Sequence, residues 1–442
     1  MRAKETVPPD VTSLRRRILP TWANRNFQLL AASAVITGFG SSGAMTAAAF
    51  AVLEAGGTGT DVGLVAAART APLVAFLLIG GAVADRLPRH RVMVAANLLN
   101  ACSQAVFAVL VLSGQAQVWQ MAVLSALGGT AQAFFSPASE GMILNSVQQA
   151  HASQAFAIYR LGVNGGNVAG AALGGALIAF SSPGVVLALD AGSFALAALL
   201  RMFLRVGSLL PSERSSGMWR DLRDGWREFV SRRWLWSIVV QFSVINAVTS
   251  AALAVYGPQV AASDLGGAGS WGVALAAFGL GNVLGGFLMV RWRPRRILLS
   301  GVLCVSAYAL PAAALAVPVP VPLLVVAMLV AGCSSEVFGV LWMIALHQEI
   351  PQDMLSRISA YDWLGSVAIV PLGMAAAAPA AETLGMSGAL WGCAVLTVLL
   401  TGALLLAPEI RRLERAENNP PTPAPPDQPA REVTSDGTVS ST

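Results

Sequence analysis

Apolar runs long enough to cross a bilayer recur along the whole chain, and they constrain its fold more than any other feature. They cover about 27–53, 61–84, 92–113, 117–143, 154–180, 183–203, 235–262, 270–290, 297–316, 321–346, 356–378 and 386–407. A membrane helix needs roughly 20 consecutive apolar residues, and each of these runs has that length or more. They are too long and too continuous for barrel strands, which alternate apolar and polar residues. Composition agrees. Of 442 residues, 55% are hydrophobic and 12% charged, where a soluble domain carries about 25% charged residues. That excludes a disordered chain, a nucleic-acid binder working through a basic surface, and most soluble enzymes. The first run is about twice the length of a signal-peptide core and no clear cleavage site follows, so it is expected to stay in the membrane.

The cations orient the runs. All except Arg69 and Arg160 fall in the N-terminal segment, in the tail, or in alternate connections and the helix ends that flank them. Arg86, Arg89 and Arg91 lie between the second and third runs, and Arg291, Arg293, Arg295 and Arg296 between the eighth and ninth. The intervening connections hold none. Positive residues stay on the cytoplasmic side, so both termini are expected there and the span number is even.

This predicts an all-α membrane protein with twelve transmembrane helices in two pseudo-symmetric six-helix bundles. The expected divisions are a cytoplasmic segment 1–26, a first bundle 27–205, a linker 206–234, a second bundle 235–410 and a disordered tail 411–442. Within the linker, Met218, Trp219, Leu222, Trp226, Phe229 and Val230 recur at helical spacing, which reads as an amphipathic strap on the membrane face. The Pro-rich, polar stretch after Glu417 cannot bury enough surface to fold. Cys102, Cys304, Cys333 and Cys393 lie far apart in apolar runs and read as small buried hydrophobes.

Gly80-Gly81 before Asp85, Arg86, Pro88 and Arg89, and Gly285-Gly286 before Arg291, Pro294, Arg295 and Arg296, form a weak internal repeat. Parallel halves of this kind place a substrate site between them near the midplane. The stretch from Gly81 to Arg91 resembles motif A of the major facilitator superfamily, G-x-L-x-D-R-x-G-R-R. Gly81, Asp85, Arg86 and Arg89 match, Val83 replaces the Leu, and Pro88 replaces the second Gly. The resemblance implies a gate in which Asp85 accepts charge-assisted hydrogen bonds. Gly166, Gly170, Gly174 and Gly175 resemble motif C of the superfamily's antiporters, with Ala171 in place of its proline. Glycines four apart give a flat face for close helix packing. Ala133–Ala138, Leu189–Phe194 and Trp219–Trp236 look like the third drug–proton antiporter family, which includes macrolide-type efflux proteins and the enterobactin exporter. That resemblance covers about 20–410 and implies export of amphipathic small molecules against a proton gradient.

Ionisable residues inside a membrane are costly and are candidates for function. Arg69 in the second run can pair with Asp190 in the sixth or Glu54 at the end of the first. Glu140 and Arg160 read as a structural ion pair. Glu336 stands alone in the tenth run and is a candidate proton or cationic-substrate site, with Asp362 in the eleventh a further candidate. Phe134, Phe135, Trp342, Met343 and Trp363 are candidates for an adaptable cavity lining. Many proton-linked drug antiporters carry an arginine in the fourth helix, and 117–143 holds none. No phosphate-binding loop or metal-ligand spacing occurs, so no cofactor or metal is expected.

The expected function is secondary export of drug-, antibiotic- or siderophore-type molecules by proton antiport, from a bacterial plasma membrane. A monomer is expected, with protons, a small-molecule substrate and lipid as its partners, and no nucleic acid. Two rival readings stay open from sequence: a proton-coupled nutrient or metabolite importer, and a non-transporting membrane sensor or scaffold.

Overall fold

Helix boundaries follow local start and stop chemistry. The computed structural model describes residues 22–148, 151–204, 218–317 and 319–415; within them the side chains of 78, 81, 82, 84–86, 140, 144, 145, 152, 153, 157, 218–222, 224, 352, 353 and 355–357 are not described. The N-terminal segment before Trp22 and the tail beyond Arg415 therefore lie outside the described residues.

Helix α1, Arg25–Glu54, begins where the Asn24 side chain accepts a hydrogen bond from the Phe27 backbone N–H at 2.9 Å. Helix α2, Gly59–Arg86, begins with the Thr58 N–H donating to the Asp61 carboxylate at 2.7 Å. Gly56, at φ 80°, lets the chain reverse between them. Helices α3 (Arg89–Leu112), α4 (Val118–Ser146), α5 (Ala152–Phe180) and α6 (Pro183–Met202) complete the first half. The linker forms α7, Met218–Ser231.

In the second half, α8 (Arg233–Ser250) continues through a π-helical turn, Ala251–Tyr256, into α9 (Gly257–Asp264). After α10 (Ala268–Arg291) come α11 (Ile297–Val305) and α12 (Ala309–Ala316), joined by a 3₁₀ turn at Ser306–Tyr308. Helices α13 (Val321–Glu349), α14 (Gln352–Val367), α15 (Val370–Leu405) and the short α16 (Pro408–Arg412) follow.

Among the described residues, ten helical stretches are long and apolar enough to cross a membrane. One of them, Ile358–Leu405, makes two crossings, because Gly385 breaks it at φ 74°, ψ 158°. Helix α4 is outside those ten, being diluted by Gln120, Ser125, Thr130 and Gln132, yet it has 29 residues and packs against α2 and α3. Twelve crossings result, close to the expected limits. The difference is at the eleventh, expected at 356–378. It starts at Gln352, breaks after Val367 and resumes as the first part of α15. Pro371 has no N–H to return to the Val367 carbonyl, so the helix yields there.

The two halves are built alike. In the first, α2 packs on α4, α1 on α5 and α6, and α3 on α4 and α6. In the second, α10 packs on α13, α8 on α14 and α15, and α11 on α13. The same device sets the second-to-fourth contact in each half. A Cβ on Gly129 of α4 would strike the Arg69 carbonyl of α2, and one on Gly332 of α13 would strike the Phe278 carbonyl of α10. Only glycine permits backbones this close.

Across the halves, α5 meets α10 and α2 meets α15. On the face opposite the α2–α3 and α10–α11 connections, one apolar core spans both halves, with Phe50, Val62 and Val65 from the first and Val255, Trp271 and Met374 from the second. On the arginine-rich face the cores are separate. Leu235, Val302 and Leu341 belong to one, and Leu30, Met93 and Met142 to another. The molecule is thus sealed on one face and parted on the other.

Large apolar side chains such as Val109, Leu112, Leu199, Phe287 and Leu399 are exposed. On a soluble protein such a surface would be a liability, but here it is the face offered to lipid. The cysteines correct an expectation. Cys102 is exposed and Cys304, Cys333 and Cys393 are half-buried. An apolar run does not distinguish a lipid-facing position from a protein core.

The linker helix rests on α14. Phe229 is buried, and the Phe229 and Trp226 rings lie 6.1 and 5.5 Å from Tyr361. Arg232 fastens it, pairing with Glu228 at 2.7 Å and donating to the Glu349 carbonyl at 2.6 Å. Beyond α16 the chain turns back. Glu414 bridges to Arg296, and Gln348 donates to the Glu414 carbonyl at 2.9 Å.

Candidate functional site

The parted face opens onto a cavity of about 1020 Å³. Its wall comes almost wholly from the second half. Helix α8 supplies Phe242 and Asn246, α10 supplies Phe278, and α13 and α14 supply most of the rest. From the first half comes Arg160, on α5.

Stacked aromatics form one side. Phe242 and Phe338 lie 4.7 Å apart, near parallel, and Phe338 continues to Trp342 at 6.2 Å. Phe338 and Trp342 are four residues apart on α13, so the helix repeat stacks them on one face. Such a wall adapts to flat or amphipathic molecules of different shape.

Two carboxylates interrupt the aromatic surface. Glu336 is half-buried on α13, with no hydrogen bond or ion pair among the described residues. It has room because α10 is bare beside it, where a Cβ on Gly285 would lie 3.0 Å from the Glu336 Cβ. Asp362 on α14 is held instead, since Trp342 Nε1 donates to its Oδ2 at 2.8 Å. Arg160, His347 and Arg415 also line the cavity. A backbone hydrogen bond holds Arg415 there, from its N–H to the Arg295 carbonyl at 2.9 Å. The site therefore offers carboxylate acceptors, aromatic faces and two arginines around one cavity.

Of the residues singled out in the sequence, Glu336, Asp362, Trp342, Met343 and Trp363 line this cavity. Phe134 and Phe135 do not. They pack with Leu30, Met93 and Met142 inside the first half. Both stand side by side on α4, between Gln132 and Ser136, and no apolar periodicity there marked which way they face. Asp190 and Arg69 lie elsewhere, in the first half. Asp190 is 0% exposed, and Ser41 and Ser193 donate to its Oδ1 at 3.2 and 3.3 Å. Arg69 interacts with it electrostatically without a direct ion pair. Glu54 is exposed at the end of α1.

The glycines of the fifth helix divide their contacts. Gly166, Gly170 and Gly174 lie against Val35, Phe39 and Gly43 of α1, whereas Gly175 lies against Gly272 of α10, across the halves. Arg89 folds over α4 at Gly141. The side chains of Asp85, Arg86 and Glu140 lie outside the described residues, as does Gly81 beyond its backbone, so the gate and the Glu140–Arg160 pairing are not seen. Arg160 itself is exposed in the cavity.

One residue escaped the sequence reading. Arg201, one of the cations at a helix end flanking the linker, is 0% exposed near the end of α6. Its guanidinium lies 4.6 Å over the Phe135 ring, and none of its nitrogens has a hydrogen-bond partner among the described residues. Its place one turn inside the end of an apolar run was the available signal. Phe242, Phe278, Tyr308 and Phe338 were missed for the same reason as Phe134 was misplaced.

The family model for the Major Facilitator Superfamily matches residues 30–370. The chain belongs to the major facilitator superfamily. The transporter is 26% identical over 408 residues to the multidrug efflux pump Tap of Mycolicibacterium fortuitum, covering 88% of this chain and 97% of that one. It is 24% identical over 377 residues to YfiS, an uncharacterised MFS-type transporter of Bacillus subtilis (strain 168), covering 80% and 86%. Among solved structures it resembles the nucleoside transporter NupG, with a TM-score of 0.69 and 14% identity over 88% of this chain and 99% of that one. A bacterial homologue of the human lysosomal transporter Spinster, inward-facing and unoccupied, gives a TM-score of 0.64 with 14% identity, covering 89% and 98%. Membership makes the protein a multi-pass membrane transporter of small molecules rather than an enzyme.

Proposed function

We propose that this transporter exports amphipathic small molecules of drug, antibiotic or siderophore type by proton antiport. It does so by alternating access from a bacterial plasma membrane, with both termini cytoplasmic. The observation that carries this reading is the cavity of about 1020 Å³, walled by stacked aromatics and holding Glu336 and Asp362 within. A large apolar site with few polar groups suits varied amphipathic molecules better than one small polar nutrient. The printed name of the Tap relative points the same way.

In this reading the cavity faces the cytoplasm and the structure is inward-open. The bundles 27–205 and 235–410 rock about the α5–α10 and α2–α15 contacts. Gly81, Asp85, Arg86 and Arg89 gate the cytoplasmic side, and Gly166, Gly170, Gly174 and Gly175 form the packing face on which the halves move. Glu336 and Asp362 receive the substrate's cationic or donor groups, and Asp190 and Arg69 take part in coupling. Trp342, Met343 and Trp363 line the path.

The test is transport in everted vesicles. A candidate drug is expected to accumulate when the interior is acidified, and an uncoupler is expected to abolish accumulation. Accumulation indifferent to the uncoupler removes the antiport claim. Uptake into intact cells, rather than reduced accumulation, supports the importer reading.

A further inference from the structure

Arginines gather where α10 gives way to α11 and where α16 returns to them. Arg291, Arg293, Arg295 and Arg296 lie at that connection, and Arg411 and Arg412 lie on α16. The register that sets Gly80-Gly81 against Gly285-Gly286 sets Val290 against Asp85, and Val290 is 70% exposed. The second half thus keeps the cations of the repeat and lacks its carboxylate.

Three of these arginines share a pocket. The segment after α16 pairs back onto the start of α11, with the Ile297 N–H donating to the Leu413 carbonyl at 3.2 Å and the Arg415 N–H to the Arg295 carbonyl at 2.9 Å. That pairing draws Arg411 and Arg412 beside Arg296, around a pocket of about 390 Å³ completed by Pro408 and Glu414. Its charge is unbalanced. Glu414, the acid in the lining, pairs at 3.3 Å with Arg295, which lies outside the lining. Arg411 gives one donor to the Leu406 carbonyl at 3.2 Å. The side chains of Arg296 and Arg412 form no hydrogen bond or ion pair among the described residues. Cations held together repel, and an anion between them removes the repulsion. Guanidinium forks match the paired oxygens of a phosphate. The pocket is roughly ten times the ~30 Å³ share of a water molecule, so it has room for a polyatomic anion.

Apolar surface continues from the pocket. Leu303 lies seven residues from Arg296 along α11, and Leu399 lies seven from Leu406 along α15. Seven residues are about two turns, so each pair shares a face. Leu303, Leu399 and Leu406 are 51%, 63% and 74% exposed, on helices that pack together. A soluble phosphate leaves that surface bare, whereas acyl chains cover it. We propose that the pocket binds the phosphate headgroup of an anionic phospholipid, with the lipid chains over Leu303 and Leu399. The headgroup clasps α16 to α11, and so steadies the segment that sets Arg415 in the large cavity. This inference goes beyond the transport reading and holds whatever the substrate or the coupling ion.

The experiment titrates the purified full-length protein in detergent with phosphatidylglycerol and counts bound lipids by native mass spectrometry. Phosphatidylcholine with the same chains is the uncharged comparison, and glycerol 3-phosphate is the headgroup without chains. The native protein is expected to bind phosphatidylglycerol more tightly than phosphatidylcholine. Arg296→Gln/Arg411→Gln/Arg412→Gln is expected to weaken the first phosphatidylglycerol at least about tenfold, since each arginine at an anionic surface contributes about fivefold. Its phosphatidylcholine binding is expected to be unchanged. Arg25→Gln/Arg91→Gln/Arg227→Gln removes the same charge from scattered exposed positions and is expected to keep the native affinity. Should the first variant fail to insert, Arg296→Lys/Arg411→Lys/Arg412→Lys keeps the charge that orients the helices, loses the forks, and is expected to weaken phosphatidylglycerol by about threefold or more. Native affinity in the pocket variants overturns the proposal. So does an equal loss in the scattered variant, which reduces the effect to net charge. Displacement of phosphatidylglycerol by glycerol 3-phosphate at comparable concentration also overturns it, because the site then serves a soluble phosphate.

Discussion

The two halves share a scaffold and differ in what they do with buried charge. In each, the second and fourth helices touch through a glycine, Gly129 in one and Gly332 in the other. Yet the first half packs Asp190 away at 0% exposure, while the second opens Glu336 and Asp362 to about 1020 Å³. A repeat fixes where helices run. It leaves free which side chains fill the centre, and here one centre is packed and the other hollow.

The shared frame breaks most severely at its glycines. Gly129→Leu and Gly332→Leu are expected to be equally damaging, each by more than the ~1–3 kcal/mol of ordinary overpacking, because backbone cannot yield as a side chain can. Folded yield in detergent checks this, and a tolerated Gly332→Leu breaks the equivalence. The hollow centre is tested next. Glu336→Gln is expected to lower drug accumulation in everted vesicles at least about tenfold, or ~1.4 kcal/mol. Direct binding of the drug to purified protein then shows whether the loss lies in recognition.

Trp342→Phe keeps the aromatic wall but removes the donor to Asp362. A hydrogen bond to a charged group is worth about 1.5–3 kcal/mol, so substrate affinity is expected to fall about tenfold as Asp362 loses its orientation. Binding titration reads it. Arg201→Met is expected to act in the opposite direction. A fully buried guanidinium with no hydrogen-bond partner among the described residues costs more than its contact with Phe135 returns. Relief of about 1 kcal/mol raises the melting temperature by roughly 2–4 °C. A fall instead assigns Arg201 a stabilising role in the first half. The smallest effect belongs to the pairing of Arg295 with Glu414. Arg295 and Glu414 pair at 3.3 Å, but Arg295 is largely exposed and Glu414 partly so, so Glu414→Gln is expected to change stability by less than about 1 kcal/mol.

Much of the fold was legible residue by residue. Asn24, Thr58 with Asp61, Pro183 and the arginine clusters mark helix ends by chemistry that acts within a few residues. The positions of Asp190, Glu336 and Asp362 were also visible, since a carboxylate in an apolar run stands out. Their surroundings were not. Helix α13 is apolar nearly all round, because some of its faces meet protein and others lipid. Periodicity therefore gave no hint that Phe338 and Trp342 line a cavity while Phe134 and Phe135 are packed away. Arg201 was misjudged for a related reason. Its closeness to a helix end suggested water, and the packing of α1, α3 and α6 excluded it.

By itself the sequence determined the number of crossings, their alternation and the rarity of charge within them, because bilayer thickness and the cost of burying charge act on each segment separately. Only the tertiary structure decided which carboxylate meets a cavity and which meets an arginine. It also decided which face is sealed, because those outcomes depend on contacts between α2 and α15 and between α5 and α10, segments far apart in the chain.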